Sequence, residues 1–121
     1  MELKYYGEFD DVGKAIEYYQ QIFDLKIIKN TWSHGNVTLF GGITLLLLPR
    51  QPQRDKPGYH IIKFDHNEVD KYRLAIHKVK ANNLVKIRYD QYSAGWGTTF
   101  FEFIDKYGYN WVFEIDTDVL H

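Results

Sequence analysis

Apolar residues along this chain change period twice, in the same order each time. Leu3 to Phe9 alternates between its two faces and predicts a strand, with Lys4, Tyr6 and Glu8 on one side. Leu3, Tyr5 and Phe9 fall on the other. Asp10 and Asp11 then interrupt the pattern, and Val12, Ile16, Tyr19, Ile22 and Phe23 recur at helical spacing. That predicts a helix from Val12 to Phe23 with Asp10 or Asp11 as its N-cap. Lys26 to Trp32 reads as a strand and Ser33-His34-Gly35-Asn36 as a tight turn. Val37 to Phe40 and Ile43 to Leu48 read as strands paired across Gly41-Gly42. The plan then restarts. Gly58 to Phe64 is a strand, Phe64-Asp65-His66 leads into a helix from Val69 to Val79, and Leu84 to Tyr89, Thr98 to Ile104 and Asn110 to Ile115 are strands.

A chain written twice from one β-α-β-β-β unit specifies its fold class. The expectation is α+β: two βαβββ modules forming a mixed, mostly antiparallel curved sheet, as half-barrels around a cleft with the helices outside. The boundaries follow: a single domain over 1–121, with module one at 1–49, a linker at 50–57 and module two at 58–121. Pro49 to Pro57 is polar and proline-punctuated, which is what a connector between the halves requires. The second half is the longer, mostly between Tyr89 and Gly97.

Composition narrows the function classes. At 121 residues there is room for one domain, and a net charge of −1 leaves no electrostatic footprint for nucleic acid. The absence of cysteine removes disulfides, thiolate metal sites and a cysteine nucleophile, and suits a cytoplasmic chain. Met1 runs directly into Glu2-Leu3-Lys4 with no leader pattern, and Ile43 to Leu48 is too short to cross a bilayer, so no membrane partner is expected. No phosphate-binding glycine loop or serine nucleophile elbow is present. Aromatic residues reach 17%, with ten Tyr and eight Phe, more than a core of this size needs.

Two stretches carry a family resemblance. Asp11-Val12-Gly13-Lys14-Ala15-Ile16-Glu17-Tyr18-Tyr19 resembles the first helix of the vicinal oxygen chelate superfamily, which holds glyoxalase I, extradiol dioxygenases and the fosfomycin and bleomycin resistance proteins. Asp105-Lys106-Tyr107-Gly108-Tyr109-Asn110-Trp111 resembles that family's turn into its last strand. Gly95-Trp96-Gly97 is similar to the phosphonate-operon (PhnB-like) branch. The resemblance implies a divalent metal held by His, Gln or Glu on the first and last strands of each module, acting as a Lewis acid. Transferred onto this chain, those positions fall on Lys4, Leu46, Val112 and either Tyr59 or His60, depending on a one-residue register choice. Lys, Leu and Val cannot ligate a hard or borderline cation. No cofactor is therefore expected, and His60 is the one residue of ligand type left, a weak candidate as metal ligand or general base. Its ordinary role is a strand histidine packed between sheet and helix. His34, His66, His77 and His121 fall at a turn, a turn, a helix face and the terminus, and read as solvated.

Strand alternation places Lys4, Tyr6, Glu8, Leu46, Leu48, Tyr59, Ile61, Lys63, Phe100, Glu102, Val112, Glu114 and Asp116 on the cleft side. Trp96, between two glycines, joins them as a lid, a plug or a subunit contact. Glu114 is a second weak candidate for catalysis, as a carboxylate displaced along the last strand. This mix of rings, aliphatic floor and a few charges favours a metal-free protein that binds an amphipathic small molecule. The alternatives are a metal-dependent lyase, isomerase or dioxygenase with non-standard ligands, and a dimeric interaction module. A homodimer is the assembly that the resemblance implies.

Overall fold

The computed structural model describes residues 3–31, 34–40, 42–49 and 58–120, with residues 3, 4 and 31 described by their backbone alone. The expected linker 50–57, Gly41, Trp32 at the end of an expected strand, Ser33 at the start of the expected turn and His121 lie outside the described residues. The chain divides into two compact units, Met1–Pro57 and Gly58–His121. No described helix is long and apolar enough to cross a membrane.

The first unit runs β1 (Leu3–Phe9), α1 (Val12–Ile22), β2 (Leu25–Thr31), β3 (His34–Leu39) and β4 (Ile43–Pro49). Its sheet order is β1-β4-β3-β2. β1 lies parallel to β4, from Leu3 opposite Ile43 to Phe9 opposite Pro49, and the other two pairings are antiparallel. Asp11 is the N-cap of α1, its Oδ1 accepting the Lys14 N–H at 3.0 Å. The helix ends at Phe23, whose backbone turns extended. Its apolar stripe (Val12, Ala15, Ile16, Tyr19, Ile22) is buried, as are Val37, Leu39, Leu45 and Leu47 of the sheet. Tyr19 stacks on Phe23 at 5.5 Å and meets Phe9 edge-on at 5.8 Å. Each such side chain contributes roughly 1.5–3 kcal/mol by leaving water.

The second unit repeats the plan: β5 (Tyr59–Lys63), a 3-10 turn (His66–Glu68), α2 (Val69–Ala81), β6 (Lys86–Ser93), β7 (Thr98–Ile104), β8 (Asn110–Asp116) and a last 3-10 turn (Thr117–Leu120). Sheet order is β5-β8-β7-β6, with β5 parallel to β8. Two four-stranded mixed sheets, each with one helix, realise the two expected βαβββ modules. Tyr72, Ile76 and Val79 of α2 are buried along with Phe101, Phe103, Trp111, Phe113 and Ile115 of the sheet. The approach to α2 is fixed by Glu68, whose Oε1 accepts the Asp65 N–H at 2.9 Å.

Asp105 explains the motif that precedes β8. Its carboxylate is buried; Oδ1 accepts the backbone N–H groups of Tyr107 (2.8 Å) and Tyr109 (3.1 Å), and Oδ2 accepts Trp111 Nε1–H (2.9 Å). Gly108 supplies the positive φ of 90° that closes this turn. One side chain therefore sets both the turn and the direction of the Trp111 indole into the core.

Two expectations from the sequence are corrected. His34, Gly35 and Asn36 belong to β3 instead of a turn, with Gly35 opposite Leu47. Gly35 is small because α1 sits on it: a Cβ there would stand 2.8 Å from Ile16 Cδ1 and 3.2 Å from both Leu47 Cβ and Val12 Cγ1. β6 is the other. It begins at Lys86, not Leu84, and continues past Tyr89 to Ser93, into the stretch by which the second half is lengthened. Register irregularities between Ile87 and Tyr89, and between Tyr89 and Tyr92, absorb the extra residues, with Gln91 at φ 61°. The bend itself is confined to Ala94–Gly97 and is closed by Ala94 N–H donating to Thr98 O at 2.8 Å.

Candidate functional site

Each sheet buries one face against its helix and leaves the other face open. In the second unit, register places the open-face residues side by side: Tyr59 next to Asn110, Ile61 next to Val112, Lys63 next to Glu114, Phe100 next to Glu114 and Glu102 next to Val112. Tyr59 and Ile61 are exposed, Glu114 is half-buried, and Val112 and Glu102 are buried. In the first unit Tyr6 is exposed, while Glu8, Leu46 and Leu48 are half-buried. Lys4 pairs with Thr44 in the sheet, and its side chain lies outside the described residues. A shallow groove of about 410 Å³ borders β2, lined by Asp24, Leu25, Lys26, Ile28 and Thr38. Trp96 stands at the β6–β7 bend and is 78% exposed.

Charges on the second open face pair differently from what strand alternation alone implies. Glu102 Oε2 meets Arg88 Nη1 at 3.1 Å and accepts Asn110 Nδ2–H at 3.3 Å. Next to this pair in the sheet, the rings of Tyr89, Tyr92 and Phe100 stand 5.5–5.8 Å apart, centroid to centroid. The Arg88 guanidinium lies 5.7 Å from the Tyr89 ring. Arg88, Tyr89, Tyr92 and Asn110 are not among the sequence candidates. The signal that could have found them is the density of aromatic residues between Tyr89 and Phe103, once that stretch is read as strand.

His60 sits on the helix side of β5. Its ring is buried, 4.3 Å from the Trp111 ring and 5.1 Å from the Tyr109 ring. Tyr59 and Ile61, its neighbours in sequence, point to the open face. The register therefore assigns Tyr59, and not His60, to the position where the resembled family carries a ligand. Leu46 and Val112 occupy two more of those positions with no donor atom, so the described residues do not fit a metal there.

A different set of ligand-type groups does converge. His66 Nε2 lies 2.5 Å from Asp116 Oδ2, and Asp118 joins them, with the three ligand atoms within 4.8 Å of one another. Lys63 Nζ stands 3.5 Å from Asp116 Oδ1. The hydrogen bond to Asp116 raises the His66 pKa above its ordinary 6.5. The same bond, with the Lys63 charge, lowers the Asp116 pKa. His66 is exposed but held by a carboxylate, which corrects the expectation of a merely solvated side chain. Its partner lies fifty positions away, on the end of β8, where no local spacing rule could find it.

With this geometry in place, the chain can be compared with known proteins. No family model matches it, and no curated relative does. The fold is that of the glyoxalase, bleomycin resistance and dioxygenase proteins. Among solved structures with this fold, TioX from Micromonospora sp. ML1 superposes with a TM-score of 0.74 at 15% identity, covering 96% of this chain and 98% of that one. A bleomycin-binding protein solved in complex with bleomycin gives a TM-score of 0.68 at 12% identity, covering 96% and 98%. The fosfomycin resistance protein FosX from Listeria monocytogenes, an E126Q mutant complexed with Mn(II) and 1S,2S-dihydroxypropylphosphonic acid, gives 0.59 at 16% identity, covering 94% and 86%.

Proposed function

We propose that this chain binds an amphipathic small molecule on an open sheet face and does so without a resident divalent metal. The observation that carries this reading is the open face of the second unit. Exposed rings of Tyr59, Tyr89 and Tyr92 and the aliphatic Ile61 share this face with a buried carboxylate, Glu102, whose charge is matched by Arg88. Such a surface offers apolar area for affinity and a few polar groups for orientation. The bleomycin-binding protein, which shares the fold, supports the small-molecule part. Leu46, Val112 and Tyr59 support the metal-free part, since aliphatic side chains and a lone phenol do not make a cation site.

The site residues proposed in this unit are Tyr59, Ile61, Lys63, Glu102, Val112 and Glu114, joined by Tyr89, Tyr92 and Phe100. In the first unit they are Lys4, Tyr6, Glu8 and Leu46. Trp96 is proposed as an accessory contact at the bend.

Two measurements test the reading. Metal content by mass spectrometry, before and after loading with Zn²⁺, Ni²⁺, Mn²⁺ or Fe²⁺, should give well under one ion per chain; a stoichiometric ion overturns the metal-free part. A thermal-shift series with planar amphipathic heterocycles should then raise Tm. Ligand at a hundred times Kd adds about 2.7 kcal/mol to stability. Loss of that shift in Tyr92→Ala supports the site, and a panel that moves nothing overturns it.

A further inference from the structure

Beside the rings of the second unit's open face lies a polar arrangement more specific than amphipathic binding requires. Glu102 is 8% exposed, and both of its contacts among the described residues fall on Oε2: Arg88 Nη1 at 3.1 Å and Asn110 Nδ2 at 3.3 Å. Oε1 is thus left as an acceptor for a further donor. Arg88 carries five N–H groups in a rigid fork, of which one is used in that ion pair, and its side chain is 40% exposed. An open acceptor and an open donor therefore stand next to each other inside one ion pair, beside the cluster of rings formed by Tyr89, Tyr92 and Phe100.

Resting on the binding function proposed above, we infer that this ion pair reads the edge of a neutral planar heterocycle in which a ring N–H stands beside a ring C=O, as in a lactam or pyridone. Glu102 Oε1 accepts the ring N–H, an Arg88 N–H donates to the carbonyl oxygen, and the tyrosine rings cover the ring face. Charge selects against the alternatives. A ligand cation drawn to Glu102 meets the Arg88 charge about as close. A ligand carboxylate drawn to Arg88 meets Glu102. Only a neutral edge with donor and acceptor side by side satisfies both members without disturbing the pair. An edge lacking the N–H leaves a largely desolvated carboxylate oxygen unmatched, which is how a polar site rejects a near-isostere.

Three probes of nearly equal size and ring area make the test: quinolin-2(1H)-one, its N-methyl derivative and quinoline, titrated calorimetrically against the full chain. The N–H lactam should bind about tenfold or more tightly than the other two. In the double variant Arg88→Met/Glu102→Met the ion pair is replaced by apolar side chains of similar length, an exchange that folded proteins tolerate. There the three probes should bind within about threefold of one another. Tyr92→Ala should weaken all three alike. If the wild-type chain binds the three probes equally, the edge-reading inference is overturned while ligand binding on this face stands. If discrimination survives in the double variant, the inference is overturned as well. If none of the probes binds, the inference and the binding function on which it rests both fail.

Discussion

Removing the Asp105 carboxylate should cost more stability than any other single polar change in the second unit. Asp105 is 4% exposed and accepts three N–H groups, at 2.8, 3.1 and 2.9 Å. Hydrogen bonds to a charged acceptor contribute about 1.5–3 kcal/mol each, and a buried donor left without a partner carries its own desolvation cost. Two of the three donors, Tyr109 N–H and Trp111 Nε1–H, are buried with their acceptor. Counting those two near the lower bound and the part-buried Tyr107 amide at less, Asp105→Ala should lose about 4 kcal/mol. Asp105→Asn keeps an Oδ1 acceptor for the two amides but sets an N–H group against Trp111 Nε1–H, for a loss of about 2 kcal/mol. The assay is guanidinium denaturation followed together by circular dichroism and tryptophan fluorescence. Adding Trp111→Phe removes the opposed donor, so the double variant Asp105→Asn/Trp111→Phe should be more stable than the sum of its singles by at least about 1 kcal/mol. A loss below about 1 kcal/mol for Asp105→Ala at unchanged denaturant slope, or strict additivity in the cycle, would refute the role given to this carboxylate.

Gly35→Ala should destabilise the first unit by about 1–3 kcal/mol, because the new Cβ meets Ile16, Leu47 and Val12 at once; unfolding midpoints read this, and a neutral result contradicts the close helix approach. Tyr72→Phe should be neutral or stabilising by about 1 kcal/mol, since the buried hydroxyl finds no partner among the described residues and burial pushes its pKa up to about 12; clear destabilisation would mean that the hydroxyl is bonded. His66 should titrate above 6.5 by NMR and fall back towards that value in Asp116→Asn. The sign follows from linkage: the contribution of His66 is fully present below pH 6.5 and fades as pH rises through its raised value, while that of Asp116 is present above its ordinary 3.8 and fades as pH falls through its lowered one. An unchanged titration in Asp116→Asn would mean that the carboxylate does not hold the ring.

The parts of this molecule that local periodicity governs were readable from the sequence. β1 has the bounds that alternation gives it, α1 starts where Asp11 can cap it, and the repeat of the βαβββ order is visible in the apolar pattern. Gly35 was not, because a glycine in a turn and a glycine under a helix look alike until the helix is placed on the sheet. The continuation of β6 beyond Tyr89 was missed because bulges break the two-residue alternation, and Asp90-Gln91 reads as loop when its left-handed residue is not recognised. The polar half of the candidate site was illegible for a further reason. Glu102 is a residue of the right face, but its partners come from two other strands, and His66 meets Asp116 only through the fold. Chemistry assembled by sheet register leaves little trace in spacing along the chain.

The strand order has a consequence for how the polypeptide emerges from the ribosome. Within its unit β1 is made before β2, β3 and β4, yet its sheet neighbour is β4, the last described strand of that unit, and β5 likewise waits for β8. β2 and β3 can form a hairpin early and α1 can rest on it over Gly35, but β1 has no strand to pair with until β4 slots between β1 and β3. Strand pairing that waits on loop closure is slow and leaves edges open meanwhile. The nascent chain thus carries an unpaired first strand through most of each half's synthesis, and the final strand of each half acts as the keystone whose arrival commits that half to its fold.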